Sequence, residues 1–382
     1  MNFGIKRRHR GKFGSLLMAV SLKKTFEGKS VFLTGHTGFK GAWTALWLSQ
    51  MGSEVHGLSL DEKDLKGIFR ATDLASCIQS HELGDILDDI VLEKSFKKAD
   101  PDFVFHFAAQ PLVRDSYKNP KSTYAANVTG TINLLELLRG SSKPCVAIFV
   151  TSDKCYENLE TGKSFKETDS LGGHDPYSSS KACCEIIVSS WRNSFFALDD
   201  KVRIASVRAG NVIGGGDWNT DRLLPDAVRC LSQNEKIPVR NPNSIRPWQH
   251  VLDPIHGYLR LAQAIHQSPS GSKDSLQLCS AFNFGPNEES EKTVEQLISE
   301  VLKHWDGNWQ DVSNPNDLYE AKSLRLNVNK ATSYLNWRPI WSFQEAIRQT
   351  VYWYKSFYRD QTKLLDITIE QIRDFELSSK TL

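Results

Sequence analysis

Residues 30–41 read SVFLTGHTGFKG, the most informative stretch of this 382-residue chain. The apolar run predicts a buried strand, and the residues after Gly41 predict a helix. Glycines at three-residue spacing lie between them; such a turn lets backbone approach a pyrophosphate, and the free N–H groups of the helix favour negative charge. A glycine-rich corner that binds nothing would look much the same, so both interpretations stay open. The residues of this turn that would contact a cofactor are Gly35, Thr37, Gly38, Phe39 and Gly41.

The composition narrows the class of protein. Lys and Arg number 47 against 45 Asp and Glu, for a formal net charge of +2. This balance argues against a nucleic-acid-binding protein, and no apolar run is long enough to span a membrane. The seven cysteines contain no C-x-x-C pair, so neither a zinc site nor a disulfide framework is expected, and no metal is predicted. Free thiols in a reducing cytoplasm are the plain interpretation.

The first residues differ from the rest. A basic run from Lys6 to Lys12 precedes a short apolar patch at residues 16–20. A secretory signal needs a longer apolar core and a small-residue cleavage site. Residues 1–20 are therefore expected to form a disordered tail, with a start at Met18 as the alternative.

Short apolar runs then alternate with helical patterns. Strand–helix alternation of this kind predicts an α/β fold, a doubly wound parallel sheet of the Rossmann type. We expect residues 21–210 to form this cofactor-binding domain. Residues 211–382 should form mainly a smaller mixed α/β substrate domain, with segments around 245–260 returning to the first. The main predicted strands are Ser30–Leu33, Glu54–Leu60, Asp102–Ala108 and Cys145–Ser152, and the main predicted helices are Ala42–Met51, Thr123–Arg139, Tyr177–Asn193 and Ser342–Tyr358.

Tyr177 and Lys181 are four residues apart in a predicted helix, so both project from one face. A nearby ammonium favours the phenolate over the phenol, whose ordinary pKa is about 10. Tyr177 could then take a proton from a substrate hydroxyl as a general base. A surface Tyr and Lys on an ordinary helix is the alternative.

A polar run, Thr151-Ser152-Asp153-Lys154, follows an apolar strand. Catalytic side chains gather at the carboxyl ends of parallel strands. Ser152 could hydrogen-bond a substrate hydroxyl together with Tyr177, while Asp153 and Lys154 offer an acid and a base. A plain polar loop is the alternative.

Six motifs together carry a resemblance that covers the chain from about Gly28 to Tyr354. The sequence resembles the extended short-chain dehydrogenase/reductases and, more narrowly, the CDP-glucose 4,6-dehydratases among them. The motifs are GHTGFKG at 35–41, FAAQPLV at 107–113, TSDKCY at 151–156, DPYSSSK at 175–181, RAGNVIGGGDW at 208–218 and RPWQHV at 246–251.

This resemblance implies a tightly held NAD and an internal redox cycle on a nucleotide sugar, with CDP-glucose favoured. Tyr177, assisted by Ser152 and Lys181, would deprotonate the hexose 4-hydroxyl. Related enzymes eliminate water with an Asp–Glu pair, which here becomes Asp153 and Lys154. Lys154 either loses its proton and acts as the base at C5, or stays charged and stabilises the enolate. The product would be a 4-keto-6-deoxy sugar.

The resemblance also implies binding residues. Asp61 lies twenty residues past Gly41 and is either the acid that binds ribose or a solvated loop charge. Ser59 lies where many relatives carry that acid, so the choice of NAD over NADP stays open. Arg246 would bind the diphosphate or form only a surface ion pair, and His250 would be a ligand or a buried histidine. The cofactor contacts would be Asp61, Asp85, Ile86, Ala108 and Ala109 as well as Tyr177 and Lys181, and the substrate contacts Gln110, Asn211, Arg222, Arg246 and His250.

Two competing functions are compatible with the same motifs. A nucleotide-sugar 4-epimerase or decarboxylase would share Tyr177 and Lys181 but has no need of Asp153 and Lys154. A regulator that binds NAD without catalysis is the alternative from another class.

Members of this superfamily commonly pair through two helices, so a homodimer is expected.

Overall fold

The structure is a computed structural model that describes residues 21–61, 66–197, 201–314 and 324–380. The basic segment 1–20 lies outside these residues, so the prediction about it stays a prediction. Within the described ranges, the helices are too short or too polar to cross a membrane.

The strands of the described residues fall into one large sheet and several two-stranded pairs. They are β1 Ser30–Thr34, β2 Glu54–Ser59, β3 Ser80–Leu83, β4 Phe103–His106, β5 Cys145–Val150, β6 Ser164–Phe165, β7 Val202–Ala209, β8 Val212–Ile213, β9 Ile237–Val239, β10 Ile245–Pro247, β11 Gln249–His250, β12 Ala281–Phe284, β13 Glu291–Thr293, β14 Trp309–Asp311 and β15 Arg325–Leu326.

The helices lie between and around these strands. They are α1 Leu22–Phe26, α2 Phe39–Gln50, α3 Ile68–Ala71, α4 Asp89–Ala99, α5 Val113–Lys118, α6 Pro120–Tyr124, α7 Gly130–Arg139, α8 Pro176–Trp191, α9 Leu223–Ser232, α10 Leu252–Gln267, α11 Lys273–Leu278, α12 Val294–Leu302, α13 Asn329–Leu335, α14 Phe343–Arg359 and α15 Leu364–Ser379.

The large sheet has seven strands in the order β12-β7-β5-β4-β1-β2-β3, and every pairing is parallel. The predicted doubly wound α/β fold is confirmed. The chain runs outward from β1 to β3 and then returns to β4 on the other side of β1. The carboxyl ends of β1 and β4 therefore diverge at a switch point, where such sheets bind ligands.

Alternation along β1 shows why both faces of the sheet are covered. Val31 and Leu33 pack into one apolar cluster, whereas Phe32 packs into a second cluster on the opposite face. All three side chains are almost fully buried. A strand buried on both faces reads as a continuous apolar run, which is the pattern seen at residues 31–33.

Two helical regions differ from the sequence prediction. The predicted helix Thr123–Arg139 is interrupted by a π-helical turn at Ala125–Thr129. There the Asn127 side chain bonds the Gln110 backbone N–H at 2.8 Å and the Ser180 hydroxyl, also at 2.8 Å. Such π turns are frequent near functional sites, and this one ties α8 to the loop after β4.

The other difference is near residue 370, where helix α15 follows the predicted helix Ser342–Tyr358 and was itself not predicted. It packs against α2, and the Trp47 indole donates a hydrogen bond to Glu376 at 2.7 Å. Strand β12 also comes from the second half of the chain, yet it pairs with β7 at the edge of the large sheet.

Candidate active site

A large cavity opens at the carboxyl ends of β1, β4 and β5. Its volume is about 1590 Å³, above the roughly 300–1,000 Å³ of a pocket for one small molecule. The cavity can therefore hold two ligands side by side. Every candidate site residue named from the sequence lines it except His250.

The glycine turn forms a cradle at one end of this cavity. Gly35 has a positive φ of 76°, and a Cβ there would lie 2.6 Å from the Ala108 backbone nitrogen. A Cβ on Gly41 would lie 2.1 Å from the Gly35 carbonyl oxygen. Gly38 caps α2 without a side-chain hydrogen bond, so the first N–H groups of this 12-residue helix face the cavity. This open helix start fits a pyrophosphate.

The other cofactor candidates surround the cradle. Thr37 and Ser59 share a hydrogen bond of 2.7 Å between their hydroxyls, which ties the turn to the end of β2. Asp61 is exposed and pairs with Arg70 at 3.2 Å. The Asp85 carboxylate accepts the Leu87 N–H at 3.0 Å. Thr37, Ser59, Asp61 and Asp85 thus form a polar stretch of the cavity wall.

Ile86 and the two alanines after β4 can offer a ligand backbone groups but no charge. The Ile86 side chain packs into the core, against the position where Gly130 leaves no room for a Cβ. It can therefore offer a ligand mainly its backbone. Ala108 and Ala109 likewise leave their backbone open to the cavity.

Helix α8 carries Tyr177 and Lys181 on the face that meets the cavity. Asp175 caps the helix by accepting the Ser178 N–H at 2.9 Å. Tyr177 is only 8% exposed and Lys181 only 6%. The Lys181 ammonium donates to the Val150 carbonyl at 3.2 Å, at the end of β5. Lys181 thus links the helix that carries Tyr177 to the end of β5.

The protonation of this pair follows mainly from burial. Burial raises the pKa of Tyr177 to about 12, although the Ser152 side chain and the positive charge of Arg222 oppose the shift. Burial also lowers the pKa of Lys181, with Glu185 opposing. Desolvation thus outweighs the nearby protein cations in setting the pKa of the phenol.

A short 3₁₀ turn, Asp153–Cys155, follows β5 beside Tyr177. The Ser152 hydroxyl donates to Asp153 at 2.9 Å and accepts the Lys154 N–H at 3.2 Å. Burial raises the pKa of Asp153, against the opposing charges of Lys154 and Lys40. A buried carboxyl that keeps its proton to higher pH is suited to act as an acid.

The candidate substrate contacts lie along the second half of the cavity. Arg222 pairs with buried Asp217 at 2.9 Å, and Asn211 and Arg246 line the same wall. The Gln110 amide is hydrogen-bonded within its own loop, to the Leu112 backbone and to Asp115 at 3.0 Å. A sugar contact from Gln110 would compete with these bonds.

His250 is the candidate that the structure does not bring to the cavity. Its ring is fully buried and packs edge-on against Trp43 and Trp341. Its Nδ1 accepts the Leu252 N–H at 3.3 Å, and burial lowers its pKa to about 3. This position contradicts a direct substrate contact. The residue is a neutral core histidine that packs behind the cleft.

Sequence reasoning missed several charged residues of the cavity wall. Lys40 lies inside the glycine turn, and burial with the charge of Arg222 lowers its pKa to about 8. Asp221 has a positive φ of 61° and accepts from Arg240 at 3.1 Å and pairs with Arg114 at 3.3 Å. Lys40 could have been noticed from its place in the turn. The Asp221 contacts join residues far apart in sequence, so no local signal announced them.

Comparison with known proteins places this architecture in a family. The chain belongs to the GDP-mannose 4,6 dehydratase family, whose model matches residues 32–350. It is 44% identical over 349 residues to a CDP-glucose 4,6-dehydratase of Salmonella typhimurium, covering 90% of this chain and 95% of that protein. It is 25% identical over 345 residues to a human dTDP-D-glucose 4,6-dehydratase, covering 87% of this chain and 91% of that one.

Solved structures show the same fold. An epimerase from Methanothermobacter thermautotrophicus superposes with a TM-score of 0.73 at 23% identity, covering 91% of this chain and 98% of that one. A dTDP-glucose 4,6-dehydratase from Bacillus anthracis, solved with NAD, gives a TM-score of 0.69 at 23% identity, covering 88% and 99%.

Proposed function

We propose that this chain is an NAD-dependent CDP-glucose 4,6-dehydratase, a hydro-lyase that forms CDP-4-keto-6-deoxyglucose. The observation that carries the proposal is the Ser152–Lys154 turn. It brings an acid and a cationic side chain to the same cavity as Tyr177 and Lys181. An enzyme that only oxidises and re-reduces C4 needs no such turn. The 44% identity to a CDP-glucose 4,6-dehydratase supports the nucleotide and the sugar.

The glycine cradle and its neighbours are suited to hold NAD. The start of α2 at Gly38 would bind the pyrophosphate, and Asp85 and Ile86 would lie at the adenine. Lys181 and Tyr177 would lie at the nicotinamide end. The bound cofactor supplies a hydride acceptor for C4 and later a hydride donor for C6, and its oxidised ring adds positive charge near the phenol. The cavity volume of about 1590 Å³ leaves space for the nucleotide sugar beside it.

Tyr177 acts on the 4-hydroxyl of the hexose. Its oxygen takes the hydroxyl proton while the C4–H electron pair leaves, so C4 becomes a ketone. Ser152 lines the same cavity as Tyr177 and would orient both oxygens. Because burial raises the pKa of Tyr177 to about 12, the base function depends on added positive charge.

The turn after β5 then removes water. The ketone acidifies the C5 proton, whose departure leaves an electron pair that forms the C5–C6 double bond. The C6–O bond breaks as Asp153 gives its proton to the leaving hydroxyl, which departs as water. Lys154 either accepts the C5 proton, or stays charged and stabilises the enolate while another group accepts that proton. When C6 is reduced, C5 regains a proton and the 4-keto-6-deoxy sugar is complete.

Arginines on the opposite wall would hold the diphosphate. Arg246 and Arg222 present planar guanidinium groups, which suit bidentate phosphate binding, and Asn211 adds an amide beside them. Binding energy at this remote group would fix the hexose against Tyr177.

Assembly and location complete the proposal. A homodimer through α7 and α8 is supported by exposed apolar side chains on and after α8, with Ile186 at 56% and Phe195 at 43% exposure. A cytoplasmic location is supported by seven free cysteines, since oxidising compartments favour disulfides.

The test is incubation with CDP-, dTDP-, UDP- and GDP-glucose in heavy water. We expect a 4-keto-6-deoxy product with deuterium at C5, formed fastest from CDP-glucose. Equilibration at C4 with the C6 oxygen retained would instead show an epimerase. Bound NAD without any conversion would show the non-catalytic regulator.

A further inference from the structure

A buried ion pair lies behind the catalytic turn. Glu185 and Arg208 meet at 2.7 Å, and their side chains are only 2% and 3% exposed. Desolvating two charges commonly costs more than their attraction returns, and an apolar pair of similar volume is often as stable. The described cavity wall does not include either residue. We therefore expect the Glu185–Arg208 ion pair to have a role in addition to stability.

The contacts of this pair bracket the turn. Thr151, directly before the turn, donates its hydroxyl to Glu185 at 2.5 Å. Tyr156, directly after the turn, accepts from Arg208 at 2.7 Å and donates to Asn283 at 2.8 Å. Both ends of the segment that carries Ser152, Asp153 and Lys154 are therefore fixed to the two partners of one ion pair.

The same pair also fixes the helix of the base. Glu185 lies four and eight residues after Lys181 and Tyr177, on the same face of α8. Ser206 on β7 adds a third hydrogen bond to Glu185 at 2.7 Å. The spacing between Tyr177 on the helix and Asp153 on the turn is thus set through Glu185.

We infer that the Glu185–Arg208 pair is a positioning unit for the elimination step, acting through Asp153 and Lys154. The inference rests on the proposed function. Oxidation at C4 uses Tyr177 with Ser152, whereas elimination also needs Asp153 at the C6 oxygen and Lys154 near C5 of the same sugar. A turn freed at either end should therefore slow elimination more than oxidation, because elimination depends on two further side chains of the turn. Displacement of a reacting group by about 1 Å can slow a reaction about 100-fold.

The test compares Glu185→Gln, which removes the charge, with Tyr156→Phe, which removes only the hydroxyl at the other end. With NAD and CDP-glucose, both variants should form the 4-keto-6-deoxy product roughly 10- to 100-fold more slowly. Reduced nicotinamide should accumulate, because oxidation continues while elimination lags, and KM should stay near the wild-type value. The double variant should be no slower than the slower single one, since the two residues act as one unit.

Asp253→Asn is the matched control. Asp253 is also a fully buried carboxylate, it accepts the Ile340 N–H at 2.6 Å, and it lies away from the cavity. Its variant should form the product at the wild-type rate without accumulating reduced cofactor. Equal slowing of oxidation and elimination in Glu185→Gln and Tyr156→Phe, or a lowered Tm alone, would overturn the inference. Absence of dehydrated product from the wild-type protein would instead reject the proposed function, so the two failures are distinguishable.

Discussion

A single methyl group at Gly41 should abolish tight NAD binding. The added Cβ would lie 2.1 Å from the Gly35 carbonyl oxygen, and real Cβ atoms essentially never approach closer than 3.0 Å, so the turn must open by at least 0.9 Å. The obstructing atoms are backbone, and that carbonyl also accepts the Gly38 N–H at 3.1 Å, so no side chain can swing away to relieve the contact. Loss of one hydrogen bond from the turn to the charged pyrophosphate costs about 1.5–3 kcal/mol, which is roughly a 10- to 150-fold loss of affinity.

Calorimetric titration of Gly41→Ala with NAD measures this loss directly. Gly140→Ala is the matched control, because its Cβ would meet nothing closer than 3.6 Å at the end of α7. The control should bind NAD like the wild-type protein. Wild-type affinity in Gly41→Ala would refute the assignment of this turn as the pyrophosphate cradle. Circular dichroism of both variants separates lost binding from lost folding.

Three further outcomes are expected. Asp153→Asn keeps an acceptor for Ser152 but cannot give up a proton, so dehydration should slow about 100- to 10,000-fold while C4 oxidation, followed by nicotinamide absorbance, persists. Arg246→Met should raise KM for CDP-glucose roughly 10- to 100-fold with little change in kcat, because a charged hydrogen bond contributes about 1.5–3 kcal/mol; unchanged KM would remove Arg246 from the diphosphate site. Burial lowers the pKa of His250 from 6.5 to about 3, so the unfolded state binds this proton first as pH falls. In His250→Phe the free energy of unfolding should therefore fall less steeply as pH falls, by about 1.4 kcal/mol per pH unit. Urea denaturation from pH 6.5 downward measures this slope.

The fold was largely predictable because its signals are local. Parallel strands buried on both faces, such as β1 and β5, read as apolar runs of about strand length. Some ends moved by a residue or two: the predicted strand Cys145–Ser152 ends at Val150, where its apolar run ends. The π turn at Ala125–Thr129 was not predictable, because it depends on Asn127 meeting partners from α8 and the loop after β4.

The site was predictable where a short local pattern in the sequence indicates it, as the glycine turn and the Tyr177–Lys181 spacing do. The pKa of Tyr177 has no such local pattern, since it depends on how completely the folded chain buries the phenol. For His250 the sequence left a ligand and a buried histidine open for a related reason: a polar residue within a motif can equally lie in the core. Its packing against Trp43 and Trp341 distinguishes the two.

The position of β12 has a consequence for how this chain is made. The ribosome must pass residue 284 before the outer strand of the nucleotide-binding sheet exists, and the Trp47–Glu376 hydrogen bond cannot form before residue 376 is made. Until then the flank of β7 remains an unpaired template to which other nascent chains can add. A fragment that ends at residue 210 leaves this edge of β7 permanently unpaired. The two halves of the molecule therefore cannot be produced separately without exposing it.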